Sequence, residues 1–337
     1  MRSQVRIDLG ALRRNVGTLL RVLEGAELWA VVKANAYGHG ALDCGPAALE
    51  AGATALCTAT VGEALALRGR LPLVRLIVLG PFSAEELAEA REANLELVVA
   101  DAVVPEGVAV HVKLDTGMGR WGTSELPSPT RDVVGVMTHL ATADTDPEFA
   151  RVQLARFREA TASLGDVTRH AANSAAALRL PESRLDAARC GIAVYGLSPF
   201  GADPADDGLE PVLSWRSELA QVKLLRAGES TGYGRRFIAE EDTWIGVVPV
   251  GYADGFRRDL TGTQVLVEGE RRRVVGTVSM DAIAVELNGP LPAGTPATIV
   301  GDGVLLEEHA RVAETINYEL ACGLDRAPER MRREVVE

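Results

Sequence analysis

Lys33, Lys113 and Lys223 are the three lysines among 35 basic residues. Arginine supplies nearly every other positive charge, so a lysine at the end of an apolar run asks for a chemical reason. Lys33 stands in such a place, in "AVVKANAYGHG" (30–40). A primary amine condenses with an aldehyde to a Schiff base, and a site that lowers its pKa turns it into a usable base; a guanidinium does neither. The plain alternative is an amine that snorkels to water from a strand end. Tyr37 follows four residues later, so a helical turn sets it beside Lys33.

Further groups of the same kind recur along the chain. Arg120 in "DTGMGRWG" is flanked by glycines, and a guanidinium there suits a bidentate carboxylate clamp as well as a surface ion pair. "HAANSAA" places Asn173 and Ser174 at a helix start, where a hydroxyl and backbone N–H groups hold a phosphate or simply cap the helix. "ARCGIAVYG" offers Arg189, Gly191 and Ile192; a glycine there is either an ordinary turn or a place where backbone amides approach an anion. Singly these signals are weak. Taken together, an amine, phosphate-type loops and a carboxylate clamp describe a pyridoxal phosphate (PLP) enzyme acting on an amino acid.

Such groups need a frame. Apolar, β-branched runs occur at 28–32, 54–59, 74–79, 95–99, 108–112, 133–137, 167–171 and 186–189, the last two less marked. Near-continuous apolar strands fit a parallel sheet buried on both faces. Helical periodicity fills 10–25, 83–94 and 148–165. Eight β/α units in about 200 residues predict an α/β fold, a (β/α)8 TIM-type barrel, whose active sites lie at the C-terminal strand ends. Lys33, Lys113, Arg120, His139, Asn173, Ser174, Arg189, Gly191 and Ile192 all fall at or just beyond such ends. The gaps "ADAVVPEG" and "GTSELPSPTRD" are too short for full crossover helices. Either the fourth and fifth units are stripped or the strand assignment fails there. "PFGADPADDGLEP" (199–211) reads as a linker, and beyond it short alternating strands, with Glu-Gly-Glu as a hairpin signal, predict an antiparallel β domain. The expected domains are a barrel over 1–208 and a β-rich C-terminal domain over 209–337.

Composition excludes other classes. A formal charge of −12, 4% aromatics and the absence of a basic block argue against nucleic acid. Hydrophobic content of 47% is ordinary for a globular protein, and no apolar run is long enough to span a bilayer. "MRSQVRIDLG" carries no signal-peptide pattern, so a cytoplasmic location is expected. Cys44, Cys57, Cys190 and Cys322 show no C-x-x-C spacing and are expected as reduced, mostly buried thiols. Five histidines without zinc spacing predict no metal site.

"AVVKANAYGHG", "HVKLDTGMGRWG", "MTHLATAD", "AANSAA", "ARCGIAVYG", "STGYGRRF", "VPVGYADGF" and "GTVSMD" resemble, in order, the motifs of bacterial alanine racemases, a fold-type III PLP family. The resemblance runs from Val5 to about Tyr318. It implies that Lys33 carries the cofactor and is one of two acid/base groups, the other being Tyr233. It assigns Tyr37, Ser174, Gly191 and Ile192 to the phosphate, with Asn173 beside them, and Arg189 to the pyridine nitrogen. Arg120 and the Met280 backbone match the substrate-carboxylate site. His139 matches a network residue between the catalytic tyrosine and Arg189, and Lys113 a lysine that in this family is often carbamylated. Tyr252 and Asp281 match entrance residues. The family forms head-to-tail homodimers in which Tyr233, Tyr252, Met280 and Asp281 come from the second subunit. The implied activity is interconversion of L- and D-alanine, supplying D-alanine for the cell wall. The alternatives are a racemase of serine or of a broad range of amino acids, or a non-catalytic PLP-binding protein. The chain departs from the pattern where Asp325 stands near the place of a usual phosphate-contacting tyrosine, where "SMD" replaces a cysteine-methionine-aspartate run, and in the shortened units.

Overall fold

The computed structural model describes every residue except Met1, Ala102, Pro129, Asp325 and Arg326. The Asp325 departure therefore lies outside the described residues. The chain forms two compact units. One comprises Ala11–Phe200 with Asp207–Glu210; the other comprises the N-terminal segment to Gly10, Gly201–Asp206 and the chain from Pro211 on.

The first unit is a closed parallel barrel. Its strands are β2 (Glu27–Val31), β3 (Ala55–Thr58), β4 (Leu76–Val78), β5 (Glu96–Val99), β6 (Val110–Lys113), β7 (Val133–Met137), β8 (Thr168–His170) and β9 (Ala187–Cys190). β9 returns to β2, with Glu27 opposite Ala187. All eight apolar runs become barrel strands, and every residue of β3, β6 and β9 is buried. A strand covered on both faces has no reason to alternate.

The wall is uneven. Helices at Leu9–Leu23 and Pro147–Thr161 lie where periodicity predicts them, and the former buries Leu12, Val16, Leu19 and Leu23 along one stripe. The helix at Ala84–Glu92 opens with a reciprocal cap, Ser83 Oγ accepting from Glu86 N and the Glu86 carboxylate from Ser83 N. Helices at Ala41–Glu50 and Val61–Arg68 had no clear periodic signal; the former contains Gly45 and Pro46. Between β5 and β6, and between β6 and β7, the described residues contain no helix, yet both pairs are parallel, the second with a register irregularity between Val110 and His111. The units are stripped, and the strand assignment holds.

The second unit is a nine-stranded, mostly antiparallel sheet. It begins with β1 (Gln4–Asp8), which lies between β10 (Leu213–Glu218) and β19 (Arg332–Val336), antiparallel to the first and parallel to the second. The other members are β11 (Gln221–Leu225), β14 (Thr243–Val248), β15 (Gln264–Val267), β16 (Glu270–Val275), β17 (Ile283–Leu287) and β18 (Pro296–Val300). A separate ribbon pairs β12 (Ser230–Thr231) with β13 (Phe237–Ile238). The hairpin between β15 and β16 turns at Glu268 and Gly269, both with positive φ, as a two-residue primed turn requires. Among the described residues no helix is long and apolar enough to cross a membrane.

Candidate active site at the strand ends

β2 ends one residue before Val32, and Lys33 begins a turn that winds the wrong way. Ala34, Asn35, Ala36 and Tyr37 all have φ near +50°, the left-handed region. For non-glycine residues this costs roughly 1–2 kcal/mol each, so the surroundings must enforce it. The Glu63 carboxylate accepts from Ala34 N at 2.7 Å and from Ala59 N at 2.8 Å. Asn35 Oδ1 accepts from Ala41 N at 2.8 Å. His39, fully buried, contacts the Ala36 and Tyr37 carbonyls through Nδ1, 3.0 Å each, and stacks on Tyr195 at 4.6 Å. The turn brings Lys33 Nζ to 5.9 Å from the Tyr37 ring. The predicted neighbourhood forms, by a left-handed turn.

Tyr37 reaches the end of β9. A Cβ on Gly191 would stand 2.4 Å from the Tyr37 hydroxyl, so no larger residue fits without moving the tyrosine. Ser174 Oγ accepts from Gly191 N at 3.0 Å and lies 3.4 Å from Ala193 N, on either side of Ile192. Two hydroxyls and a run of backbone N–H groups thus meet around one glycine. Asn173, rather than Ser174, caps the helix at Ser174–Arg179, accepting from Ala176 N at 3.0 Å. That leaves the serine hydroxyl for the cluster.

Arg189 is buried and held from four sides. Nη1 donates to His170 Nδ1 (2.8 Å) and to the His170 carbonyl (3.0 Å). Nη2 donates to the carbonyls of Thr138 (2.8 Å) and Ala171 (3.2 Å) and to His139 Nδ1 (3.3 Å). The terminal nitrogens are saturated, and Nε–H is the donor left without a hydrogen bond among the described residues. Burial pulls the Arg189 pKa down to about 10, so the group still carries its charge at neutral pH. His139 is driven well below 6.5 by burial and then by Arg189, Lys113, Arg120 and Lys33. It is neutral, accepts at Nδ1, and keeps its proton on Nε2.

The loop after β6 presents Arg120. Asp115 accepts from the N–H groups of Gly117, Met118 and Gly119 at 2.9–3.1 Å, and Thr123 pairs back to Lys113 and Asp115. Burial acts to raise the Asp115 pKa, but those three N–H groups outweigh it and hold it low. Arg120 is exposed, its guanidinium 5.2 Å from the Trp121 ring, with Lys113 Nζ 5.7 Å from the same ring. Burial and Arg120 push Lys113 down to about 8, so a minor fraction is free amine near neutral pH. Leu79, Phe82, Val98, Val103, Lys113 and Trp121 line a cavity of about 320 Å³ beside this loop. Cys57 and Cys190, also in the barrel, are pushed up to about 12 by burial and are inert as thiols.

The remaining candidates lie in the β unit. Tyr252 N donates to the Ser279 carbonyl and Ala253 N to the Met280 carbonyl, both at 3.0 Å. A Cβ on Gly251 would come within 2.5 Å of that same backbone. Buried Asp254 accepts from Gly251 N, Arg2 and Arg330, and Arg330 also pairs with Asp281 at 2.7 Å. Thr277 Oγ1 donates to the Tyr233 carbonyl at 2.8 Å. One bonded platform therefore carries Tyr252, Met280 and Asp281, and its strand connection anchors Tyr233.

The alanine racemase N-terminal domain model matches residues 7–199, and the C-terminal domain model matches 212–333. The chain belongs to the alanine racemase family. It is an amino-acid racemase, an isomerase. Alanine racemase 1 of Bacillus subtilis is 40% identical over 96% of this chain and 91% of its own length. The solved alanine racemase of Pseudomonas aeruginosa superposes with a TM-score of 0.92 at 34% identity, covering all of both chains. That of Streptomyces lavendulae, a producer of D-cycloserine, gives 0.91 at 35%, covering 100% of this chain and 97% of its own. The sequence reading gave no role to Glu63, which braces the left-handed turn, nor to the buried pair His111 and His170, although His111 opens the motif "HVKLDTGMGRWG". The sequence did hold a signal for the pair, a histidine inside each of two apolar strands.

Proposed function

We propose that the chain interconverts L- and D-alanine with pyridoxal phosphate, using Lys33 and Tyr233 as two bases in a homodimer. The observation that carries this reading is the convergence of Lys33, the Tyr37–Ser174–Gly191 cluster and Arg189 at the C-terminal ends of β2 and β9. The fit to the cofactor is chemical at each end. Hydroxyls and N–H groups suit a phosphate, a primary amine suits an aldehyde, and the free Nε–H of Arg189 suits an unprotonated ring nitrogen. Bound there, pyridoxal phosphate would withdraw electron density from the substrate α-carbon and acidify its C–H.

The chain's own residues do the rest. Arg120, on its Asp115-nested loop, clamps the substrate carboxylate, joined by the Met280 backbone. Lys33 Nζ takes or returns the α-proton on one face. Tyr233 of the partner subunit does so on the other, so neither base has to travel from one face of the substrate α-carbon to the other. His139 offers its Nε2–H to link Arg189 with that tyrosine. Lys113, partly a free amine, is able to take up carbon dioxide as a carbamate and steady Arg120. Tyr252 and Asp281 of the partner subunit border the entrance. The product D-alanine then serves cell-wall synthesis in the cytoplasm.

The test is direct. In the cofactor-loaded protein, the α-proton of alanine should exchange with solvent deuterium as the enantiomers interconvert, and borohydride should fix the cofactor on Lys33. Equal turnover of serine and alanine would replace alanine by a broader substrate range. Absence of α-proton exchange with any small amino acid would overturn the proposal.

A further inference from the structure

The inside of the barrel holds a polar chain that the reaction as described does not use. Arg189 Nη1 donates to His170 Nδ1 at 2.8 Å. His170 Nε2 lies 2.9 Å from His111 Nδ1, and His111 Nε2 lies 2.7 Å from Glu96 Oε2. Arg75 Nε donates to Glu96 Oε1 at 2.6 Å and closes the far end. Both histidines are fully buried, where a barrel ordinarily packs branched apolar side chains. The chain runs from Glu96, the first residue of β5, to Arg189 near the end of β9, and so crosses the barrel from its N-terminal to its C-terminal end.

Two further features show a place built for it. A Cβ on Gly135, in the middle of β7, would fall 2.1 Å from His111 Nδ1, so the glycine makes room for that ring. Trp29 packs its ring at 5.6 Å against His111 and 4.5 Å against His170, and the Arg75 guanidinium lies over the same indole ring at 4.7 Å. Only one proton arrangement satisfies both ends. A guanidinium donates and never accepts, so His170 Nδ1 is an acceptor and its proton is on Nε2. That proton goes to His111 Nδ1, and the His111 proton on Nε2 goes to the Glu96 carboxylate, which accepts and does not donate. Burial depresses both histidines, which keeps each neutral and singly protonated.

We infer that Glu96 is a remote positioning residue for the cofactor: through His111 and His170 it fixes a one-way hydrogen-bond chain that holds Arg189 with Nε–H turned to the ring nitrogen. If His111 took the other tautomer, its Nδ1–H would meet the His170 Nε2–H and push the His170 proton to Nδ1; His170 would then set N–H against N–H at Arg189 and the guanidinium would swing. This rests on the proposed role of Arg189, but the chain itself is measurable without cofactor.

The experiment labels the histidines with 15N and compares the full-length protein, with and without pyridoxal phosphate, to Glu96→Ala and Glu96→Gln. The wild-type protein is expected to show His111 and His170 neutral and protonated on Nε2 in both states. Glu96→Ala removes the terminal acceptor; it should mix the tautomers and lower kcat about tenfold, the loss of one buried hydrogen bond to a charged group, with KM for alanine within about twofold. Glu96→Gln keeps one acceptor of two, so it should fold and fall between. A wild-type spectrum with Nδ1-protonated histidines overturns the inference. So does a folded Glu96→Ala or Glu96→Gln with unchanged tautomers and kcat. A wild-type protein that shows the predicted tautomers but no racemase activity sinks the reading of the site and leaves the chain standing.

Discussion

The buried candidate side chains of the barrel unit and the candidates of the β unit are held in opposite ways. Arg189, Tyr37 and Ser174 are at most 8% exposed and are tied by side-chain bonds or close contacts to several strands. Tyr233, Met280 and Tyr252 are 73%, 51% and 40% exposed, and their segments are held by backbone bonds that leave the side chains bare. A group that orients a cofactor must not move, because small misplacements of a reacting geometry are costly. A group offered to a neighbouring molecule must stay uncovered until that molecule arrives. The proposed dimer gives the exposed set its covering, and the barrel set needs no partner to take shape.

Substitutions in the two sets should therefore fail differently. Lys33→Ala is expected to lose the most, roughly 10⁴-fold or more in turnover, since it removes both the proposed cofactor anchor and one of the two proposed bases. Its fold should be intact, and the check is turnover measured beside a thermal melt. Tyr233→Phe should cost about 10²- to 10⁴-fold in racemisation and keep the cofactor, because the residue lies outside the barrel unit. Its signature is that α-proton exchange of one enantiomer survives while inversion stops. Loss of exchange for both enantiomers would mean that the two bases are not separable in this way.

Gly191→Ala should act on the barrel set without touching either base. Its Cβ meets the Tyr37 hydroxyl, so the tyrosine must yield, and with it the proposed contact to the phosphate. Cofactor affinity should fall about tenfold, the value of a hydrogen bond to a charged group, while kcat at saturating cofactor stays within a few-fold. A cofactor titration decides it, with Tyr37→Phe as the matching removal.

Much of the barrel was legible because strands buried on both faces write themselves as unbroken apolar runs. Even the weak "DAAR" stretch became a strand, β9. The stripped units were legible too, since a short connection rules out a helix by length alone. The left-handed turn was not. Ala34 to Tyr37 contain no glycine, and one of the groups that brace their backbone is Glu63, 26 positions beyond Tyr37 and on another helix. The helix at Ala41–Glu50 was hidden by Gly45 and Pro46, which read locally as breakers. The Glu96–His111–His170–Arg189 chain depends on which strands become neighbours across the barrel interior, and no local pattern carries that. Of the site, the residue types and the motif order gave the candidates; the support beneath them is tertiary.

Acid should separate the two units as well, with the smallest effect. His111, His139 and His170 in the barrel unit all have pKa values depressed mainly by burial, the last two well below 6.5; in the β unit His309 is depressed in the same way, with Thr263 on Nδ1 and the Ile299 carbonyl on Nε2. A histidine whose folded pKa lies below its unfolded value takes up its proton more readily in the unfolded chain. Its contribution is complete above the unfolded pKa of about 6.5 and is lost as pH falls through that value toward the folded one. Each such group removes at most about 1.4 kcal/mol per pH unit across its window. With at least three on one side and one on the other, hydrogen exchange at pH 5.5 should rise first in the barrel strands and later in the β sheet. Replacing His170 should flatten that early rise, though at the price of Arg189's support. Equal acid sensitivity in the two units would show that neutral buried histidines do not set the difference between them.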